Sequence, residues 1–367
     1  MKRMTSNKKM LIALCMLSAV VKPSTAQTVW DFTDASIWEN IALTSGSYDA
    51  TGSTSGKNSK ITFNFTEGNV SYENGIKISA NGSTAAENLQ PNMPAKGYVS
   101  ALIKIEGNEA TANLAYKFGS KTYTASKTGT HICVSNPNNN AKAGIGCWVY
   151  ATGLGDGNNI TIEKIARHSI ADETSVEIGS TGIATLYPAT VVKFAEPSTI
   201  KVYLIKEVKN GFANLVEVAS DQPLAGFQGY IIKGAEGTYA LSVQRDAAEL
   251  DDANMLKGSI AATTINSDDN TNRYFLASDT EGNISFKKIA SDTESAARKA
   301  WLEIPASQES GQYLSIAFPN GGTTGINSAS VKAESNKDGV CYDLNGVAKK
   351  APSKGINIRN GKKFVIK

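Results

Sequence analysis

Two histidines, His131 and His168, are the only imidazoles that this chain offers for acid–base or nucleophilic chemistry. A Ser-His-Asp or Cys-His site needs a histidine beside its nucleophile, and a zinc site needs ligands at close, regular spacing. His131 alternates with Cys133 in a strand-like run, which is typical of an ordinary strand side chain, and His168 lies at the edge of a strand-rich region. The sequence therefore predicts no catalytic residue, no metal site and no cofactor.

Cys133 and Cys147 form a candidate disulfide pair because they flank a turn-rich segment, residues 136–144. A hairpin centred on Asn140 would place the two cysteines directly opposite each other, as a disulfide requires. Two small buried thiols in a sheet interior are the alternative. Cys341 is left without a partner by count.

Carboxylates are numerous, but their spacing does not single out a catalytic pair. A glycan-cleaving enzyme needs two carboxylates at a set separation in a cleft. The doublets Asp251-Asp252 and Asp268-Asp269 lie in polar, loop-like segments, where solvated charge is the ordinary explanation. A polysaccharide-degrading enzyme therefore remains the second hypothesis, with its acids unassigned.

Aromatic residues give the best lead toward a binding site, because sugar rings stack on exposed tryptophan and tyrosine faces. Trp148 and Tyr150 share one face of a strand, although both faces of that strand are apolar and burial is the favoured interpretation. Trp30 and Phe32 alternate on the first strand and are assigned to the core. The candidate ligand-binding residues are Trp38, Tyr48, Trp148 and Tyr150.

The N-terminus carries an export pattern. Basic residues precede an apolar run over residues 10–21, and small residues follow up to Ala26. This order is typical of a secretory signal peptide, and it predicts removal of residues 1–26 by cleavage between Ala26 and Gln27. The apolar run is shorter than the roughly 20 residues that a membrane span needs, which disfavours an uncleaved anchor.

Charge argues against a nucleic-acid partner. The whole chain carries a net charge of +3, but residues 1–26 hold five basic residues and no acidic one, so the remainder falls to −2. A protein that binds phosphate backbones needs a basic surface in its folded part. No segment after residue 26 has the length and apolarity of a membrane-spanning helix, so no span is predicted in the mature chain.

The elements that would position these residues are almost entirely β. Short alternating runs separated by Gly, Asn and Ser clusters predict an all-β chain of several domains. Region one, residues 27–170, is predicted to be a jelly-roll-type β-sandwich of carbohydrate-binding character, and region two, residues 175–326, a second β domain that folds separately. Its clearest signal is a hairpin over residues 201–218 that turns at Asn210-Gly211, and residues 292–300 are a candidate short helix. Strands are predicted at residues 28–32, 60–65, 76–79, 97–106, 111–118, 121–125, 130–135, 145–151 and 159–165 in region one, and at residues 175–179, 183–187, 191–194, 200–208, 213–219, 226–233, 239–243, 274–277, 284–289, 299–304 and 313–318 in region two.

Region two resembles a β module that recurs in exported Bacteroidetes proteins, beside glycan-active or adhesive domains. The resemblance implies a compartment and a lineage, and it brings no catalytic residues. It rests on Ile178-Gly179-Ser180-Thr181-Gly182-Ile183-Ala184-Thr185-Leu186-Tyr187, Gly229-Tyr230-Ile231-Ile232-Lys233-Gly234, Glu236-Gly237-Thr238-Tyr239 and Ala300-Trp301-Leu302-Glu303-Ile304-Pro305.

Region three, residues 331–367, resembles the C-terminal sorting domain of the Bacteroidetes type IX secretion (Por) pathway. In that family the translocon reads the terminal strands, which are then removed or joined to surface lipopolysaccharide. The chain departs from the pattern at Val347, where a basic residue is usual, and at Asn357, where an aromatic is common. The resemblance rests on Val340-Cys341-Tyr342-Asp343-Leu344-Asn345-Gly346, Lys354-Gly355-Ile356-Asn357-Ile358 and Asn360-Gly361-Lys362-Lys363-Phe364-Val365-Ile366-Lys367.

These features together favour an exported, non-catalytic, adhesin-like binding protein, displayed on the cell surface or released. Its expected partners are a glycan or a host or neighbour surface protein, and the export machinery at the C-terminus. If the C-terminal signal is not used, the protein would be periplasmic. The alternatives are the polysaccharide-degrading enzyme and a protein-binding inhibitor or matrix protein.

Overall fold

The chain forms two compact units, Met1–Gly325 and Ile326–Lys367. Nearly all regular structure is β, as the sequence predicts, in several separate sheets. The computed structural model describes residues 28–40, 43, 46–51, 60–65, 69–79, 87–91, 97–107, 114–118, 121–125, 129–134, 149–152, 157–169, 175–244, 248–267, 270–279, 282–308, 311–324, 341–342, 348–349, 355–359 and 362–366.

Region one contains twelve strands and one short helix among these residues. Several strands match their predicted bounds, including Lys60–Phe65 and Gly97–Glu106. The elements are β1 Thr28–Asp31, α1 Ala35–Trp38, β2 Gly46–Thr51, β3 Lys60–Phe65, β4 Asn69–Tyr72, β5 Ile76–Ser79, β6 Glu87–Pro91, β7 Gly97–Glu106, β8 Leu114–Phe118, β9 Lys121–Ala125, β10 Gly129–Val134, β11 Val149–Thr152 and β12 Asn159–Ser169.

Region two contributes sixteen strands. They are β13 Ser175–Ile178, β14 Ile183–Leu186, β15 Val192–Phe194, β16 Lys201–Lys209, β17 Phe212–Val218, β18 Tyr230–Lys233, β19 Gly237–Val243, β20 Ala248–Glu249, β21 Leu256–Ser259, β22 Thr263–Ile265, β23 Thr271–Ser278, β24 Ile284–Lys288, β25 Thr293–Ser295, β26 Lys299–Pro305, β27 Tyr313–Ala317 and β28 Thr323–Thr324.

Two antiparallel sheets make region one sandwich-like. The inner sheet has the order β20-β10-β7-β12-β5-β4, with β1 also paired to β12, and the outer sheet has the order β2-β3-β6-β11-β8-β9. One side of β12 is shared by two strands, since β5 pairs with its first part and β1 with its second part. This changeover occurs at Glu163.

The inner sheet is buried on both faces. Residues directly opposite each other on paired strands share a face, so Ile160 and Ile162 lie with Ile105 and Ile103 on the sandwich side, and all four are buried. The other face packs against region two in a single apolar cluster, which we call the seam. The seam contains Val29, Tyr98, Leu102, Ile132, Val134 and Ala166 of region one, and Tyr187, Ala189, Val191, Ala225, Phe227, Ile260 and Ala300 of region two.

The seam joins regions one and two, which the sequence predicts to fold separately, through shared apolar contacts. Region two also donates β20, which pairs with β10 at Ile132 and His131 and completes the inner sheet. The polar segment between the regions suggested a linker, but sequence composition gives no information on whether two regions bury apolar surface against each other. In the structure they belong to one compact unit.

Region two is built around a curled ten-stranded sheet with the order β14-β18-β16-β17-β27-β24-β23-β26-β21, to which β28 is added beside β27. Its hairpin of β16 and β17 confirms the prediction, because Asn210 and Gly211 take φ angles of 53° and 79° at the turn. Both central residues of a type I′ turn need positive φ, which Asn and Gly tolerate best.

One local prediction is wrong. Residues 292–300 do not form a helix, because Thr293–Ser295 pairs with Thr263–Ile265 and Lys299 begins β26. Arg298 between them has a φ of 60°, which is not a helical value. The segment predicted to place Cys133 opposite Cys147, residues 135–148, lies outside the described residues, so the disulfide stays a prediction.

The unit Ile326–Lys367 contains one four-stranded antiparallel sheet with the order β30-β29-β31-β32. Its terminal hairpin agrees with the predicted one, with Arg359 opposite Lys362. The strands are β29 Cys341–Tyr342, β30 Ala348–Lys349, β31 Gly355–Arg359 and β32 Lys362–Ile366.

Candidate site at the seam between the two β regions

A β-bulge places Lys164 on the face of the inner sheet that meets region two. The register of β12 against β7 shifts between Ile162 and Lys164, so Glu163 is the extra residue. Without that extra residue, strict alternation would turn Lys164 toward the sandwich interior. With it, Lys164 lies opposite Leu102, a residue of the seam.

Lys164 is held by Asp31 on the neighbouring strand. The two residues are cross-strand partners of β12 and β1, and the Lys164 Nζ lies 2.6 Å from the Asp31 Oδ2. Asp31 also accepts hydrogen bonds from the backbone and hydroxyl of Thr33 through its other oxygen. An ammonium has three protons to donate, so the Lys164 side chain, which is 24% exposed, keeps donor capacity after this ion pair.

Tyr187 approaches the same place from region two. Its ring belongs to the seam and is 6% exposed. The ring lies directly on the backbone of Gly258, where an added Cβ would be 2.2 Å from Tyr187 Cδ2. Only glycine permits this approach. The backbone amide of Tyr187 is fixed by a 3.0 Å hydrogen bond to the carbonyl of Arg298.

Lys164 and Tyr187 line a cavity of about 250 Å³, which we call the junction cavity. Its inner wall is buried and includes Phe227, which is 6% exposed. Asp252 and Lys257 are exposed and form its rim. The cavity is therefore a recess with a charged opening and a mixed lining, in which polar side chains stand beside the buried rings of Tyr187 and Phe227.

Several polar groups of the lining are already used by the fold. Asn254 accepts from the amides of Ile205 and Leu256 and donates to the carbonyl of Gly229. Gln228 accepts from the amide of Asp251 and donates to the Tyr230 hydroxyl. Asp251 pairs with Lys206 and caps the amide of Ala253. These bonds fix the shape of the cavity.

The Tyr187 hydroxyl and the Asp252 carboxylate are among the lining groups that keep their capacity for a ligand. Within the described part of the chain, neither the Tyr187 hydroxyl nor the Asp252 carboxylate forms a hydrogen bond or an ion pair. The hydroxyl can donate and accept, and the carboxylate accepts only. Together with the remaining protons of Lys164, they supply both kinds of hydrogen-bonding group around one small recess.

The electrostatics around the cavity reflect burial and mixed charge. Burial raises the pKa of Tyr187, and the nearby Lys164 partly opposes this increase. Burial alone would lower the pKa of Lys164, but Tyr187 and Asp31 together raise it above its ordinary value. Burial also raises the pKa of Glu163, against the opposing effects of Lys164 and Lys104. Lys164 therefore stays charged at neutral pH.

His168 and Ser100 form a second polar contact in the seam, but its geometry does not suit nucleophilic catalysis. The Ser100 hydroxyl donates to the carbonyl of Ala189 at 2.7 Å, and its Oγ lies 2.8 Å from His168 Nε2. Because the hydroxyl has one proton, His168 must be the donor to Ser100. A serine nucleophile gives its proton to the histidine instead, and both side chains are buried, at 0% and 1% exposure.

A scan against protein-family models matches no family, and no curated protein matches the chain. The site must therefore be interpreted from its own geometry. Among the described residues, no group of three His, Cys, Asp or Glu side chains is arranged to hold a metal ion. The same residues contain no helix of the length and apolarity that a bilayer crossing requires.

Of the four predicted aromatic candidates, Trp38 has a described side chain, and it does not line the cavity. Trp38 is 1% exposed and packs edge-on against Phe32 with ring centroids 4.6 Å apart. A ring buried to that extent has no free face for a sugar, so Trp38 is part of the interior. Tyr48 and Tyr150 lie on β2 and β11 of the outer sheet, and their side chains fall outside the described residues. Trp148, Cys147, Ala26 and Gln27 also lie outside them, as does the Cys133 side chain. Trp30 and Phe32 are fully buried, as predicted.

The sequence alone does not single out the residues of the junction cavity. Its pattern places the doublet Asp251-Asp252 in a solvated loop and Tyr187 at the end of a motif. Lys164 gave no signal, because its orientation depends on a register shift between β12 and β7. The apolar residues on both sides of Glu163-Lys164 are the one sequence feature that could have drawn attention to two charges inside a buried strand.

Proposed function

We propose that the chain is an exported, non-catalytic binding protein, displayed on the cell surface or released, whose ligand is a glycan. The observation that carries the proposal is the junction cavity, where the buried Tyr187 presents a hydroxyl without a partner among the described residues. Recesses that combine apolar side chains with a few convergent polar groups are the usual form of small-ligand sites. The cavity lies between two β regions, which is also a common position for such sites.

The export part of the proposal rests on the two ends of the chain. Residues 1–26 carry the pattern of a cleavable signal peptide, and the C-terminal unit resembles a sorting domain of the type IX pathway. The four-stranded sheet of that unit offers a terminal hairpin, β31–β32, of the kind a translocon would read. Residence in the periplasm is the expected alternative if this signal is not used.

Binding is favoured over cleavage by the arrangement of the carboxylates. Glycoside hydrolysis needs one protonated and one ionised carboxyl group on opposite sides of the scissile bond. Glu163 has the raised pKa that a general acid requires, but it is not part of the cavity lining, and Asp251 is occupied by Lys206. This leaves Asp252 as the one lining carboxylate without an ion-pair partner in the described part of the chain.

A glycan array tests the proposal with matched variants. The exported protein should bind a subset of immobilised glycans, and Tyr187→Phe should weaken this binding because it removes only the hydroxyl. Tyr313→Phe is the matched control, since Tyr313 is 47% exposed on β27. Binding to no glycan on the array, together with specific capture of a host or neighbour surface protein, would favour the protein-binding alternative.

Turnover separates the enzyme hypothesis from the binding hypothesis. Incubation of the protein with the glycans it binds should release no reducing ends. Release of reducing ends that Glu163→Gln or Asp252→Asn abolishes would favour the polysaccharide-degrading enzyme and overturn the non-catalytic proposal.

A further inference from the structure

We infer that the junction cavity takes a single uncharged, hydroxylated ring at the end of a glycan chain. This inference rests on the proposed function and specifies the ligand class of the same site. It is carried by three properties of the cavity: its volume, the balance of its charges, and the identity of the groups that remain free for a ligand.

Volume limits the ligand to one ring. The cavity holds about 250 Å³, which corresponds to roughly eight water molecules at about 30 Å³ each. This is below the range of roughly 300–1,000 Å³ that accommodates drug-sized ligands. Its floor is closed by buried Tyr187, Phe227 and Leu256, and its exposed residues lie only at the rim. A recess of this volume, buried on one side and open on the other, has room for one ring, which the end of a glycan chain presents.

Charge balance favours a neutral ring. Lys164 is paired with Asp31, and Asp251 is paired with Lys206. The other two charges of the lining, Asp252 and Lys257, lie at the rim and have opposite signs. A charged ligand would bring an unbalanced charge into a partly buried site, which is unfavourable without a matching partner.

The hydrogen-bonding groups of the lining that remain free suit the adjacent hydroxyl groups of a sugar ring. The Asp252 carboxylate can accept from two neighbouring hydroxyl groups, while the spare protons of Lys164 and the Tyr187 hydroxyl can bond to ring or hydroxyl oxygens. Phe227 supplies an apolar surface on the cavity wall for the carbon skeleton. A zwitterionic amino acid is the competing ligand, because it could place its ammonium at Asp252 and its carboxylate at Lys164.

Saturation-transfer NMR on the full exported chain tests the inference with defined probes. The neutral probes are the methyl glycosides of glucose, galactose, mannose and N-acetylglucosamine. Glucuronic acid is the anionic probe, glucosamine the cationic probe and alanine the zwitterionic probe. At least one neutral glycoside should bind, and its binding should exceed that of the charged probes by roughly tenfold or more, as expected when an unmatched charge must be desolvated.

Variants locate the binding. Asp252→Asn should weaken binding of the neutral glycoside roughly tenfold, which is the scale of a lost charge-assisted hydrogen bond. Tyr187→Phe should also weaken this binding. Asp221→Asn is the matched control, because Asp221 is an exposed aspartate outside the cavity lining. Unchanged near-ultraviolet circular dichroism and melting temperature would show that a loss of binding does not come from misfolding.

The outcomes separate this inference from the proposed function. Binding of longer oligosaccharides, with no response to single glycosides and no effect of Asp252→Asn, overturns the terminal-ring assignment and leaves a glycan-binding protein. Preferential binding of glucuronic acid, glucosamine or alanine overturns the neutral ligand class. If no glycoside and no arrayed glycan binds, both the terminal-ring inference and the proposed glycan-binding function are overturned.

Discussion

The Nε2 of His168 donates to the Oγ of Ser100 across 2.8 Å, from β12 to β7 in the interior of the seam. The ring of His168 stacks on Tyr98 with centroids 4.8 Å apart. Burial, and then the positive charge of Arg298, lower the pKa of His168 from 6.5 to about 3. This histidine is therefore a neutral hydrogen-bond donor, and its protonation is incompatible with the seam.

Acid should destabilise the fold through His168. Because the folded-state pKa lies below the unfolded value, the stabilisation is fully present above pH 6.5 and is lost as the pH falls from 6.5 toward 3. At pH 4 this single group should cost about 3 kcal/mol of unfolding free energy. The measurement is guanidinium unfolding of the native chain and His168→Gln between pH 7 and pH 4. Their stability difference should shrink as pH falls, because glutamine cannot titrate, and parallel curves would reject this role for His168.

When the two β regions are separated, region one should be insoluble or should self-associate. A fragment of residues 27–172 exposes the apolar seam face of the inner sheet and lacks β20 beside β10. A fragment of residues 174–326 keeps two apolar clusters of its own and should fold. Size-exclusion chromatography and thermal melting check this, and mixing the fragments should give a 1:1 complex. A monomeric region-one fragment that melts at the temperature of the whole chain would contradict the shared core.

Gly258→Ala should lower the unfolding free energy and distort the cavity. The new methyl group would lie 2.2 Å from the Tyr187 ring, so the ring or the backbone must move. Forced overpacking of this kind costs roughly 1–3 kcal/mol. Gly322→Ala is the matched control, since the closest atom to its added Cβ is 3.9 Å away. Urea unfolding of the two variants should separate them clearly, and equal stabilities would show that Tyr187 is not tightly placed.

Deletion of residues 355–367 tests the export proposal. It removes β31 and β32, which lie outside the unit that contains the cavity. Glycan binding and the melting temperature of residues 27–325 should stay unchanged, while the protein accumulates in the periplasm. Cell fractionation and N-terminal sequencing, which should recover Gln27, are the measurements. Surface or culture-fluid levels equal to those of the intact chain would reject the sorting interpretation.

Sequence patterns predicted those elements of the fold whose conformation is determined by neighbouring residues in the chain. Asn210-Gly211 specified its hairpin because two adjacent residues tolerate the φ angles of the turn. Strands β2 and β6 were missed, since Gly46–Thr51 and Glu87–Pro91 lack an alternating apolar pattern and are strands only through their pairing. The sequence did not predict the candidate site for the same reason: its determinants are not local. Lys164 and Tyr187 come from different regions, and their meeting depends on the bulge at Glu163 and on the seam.

The donation of β20 to the inner sheet also has a consequence for the order of synthesis. A ribosome completes β10 well before it reaches Ala248–Glu249. During that interval the hydrogen-bonding edge of β10 lacks the strand that covers it in the folded chain, and open edges of this kind recruit other strands and promote aggregation. Slow translation, or folding of region one before region two arrives, should therefore lower the yield of native protein, whereas a chaperone that keeps the nascent chain extended should raise it.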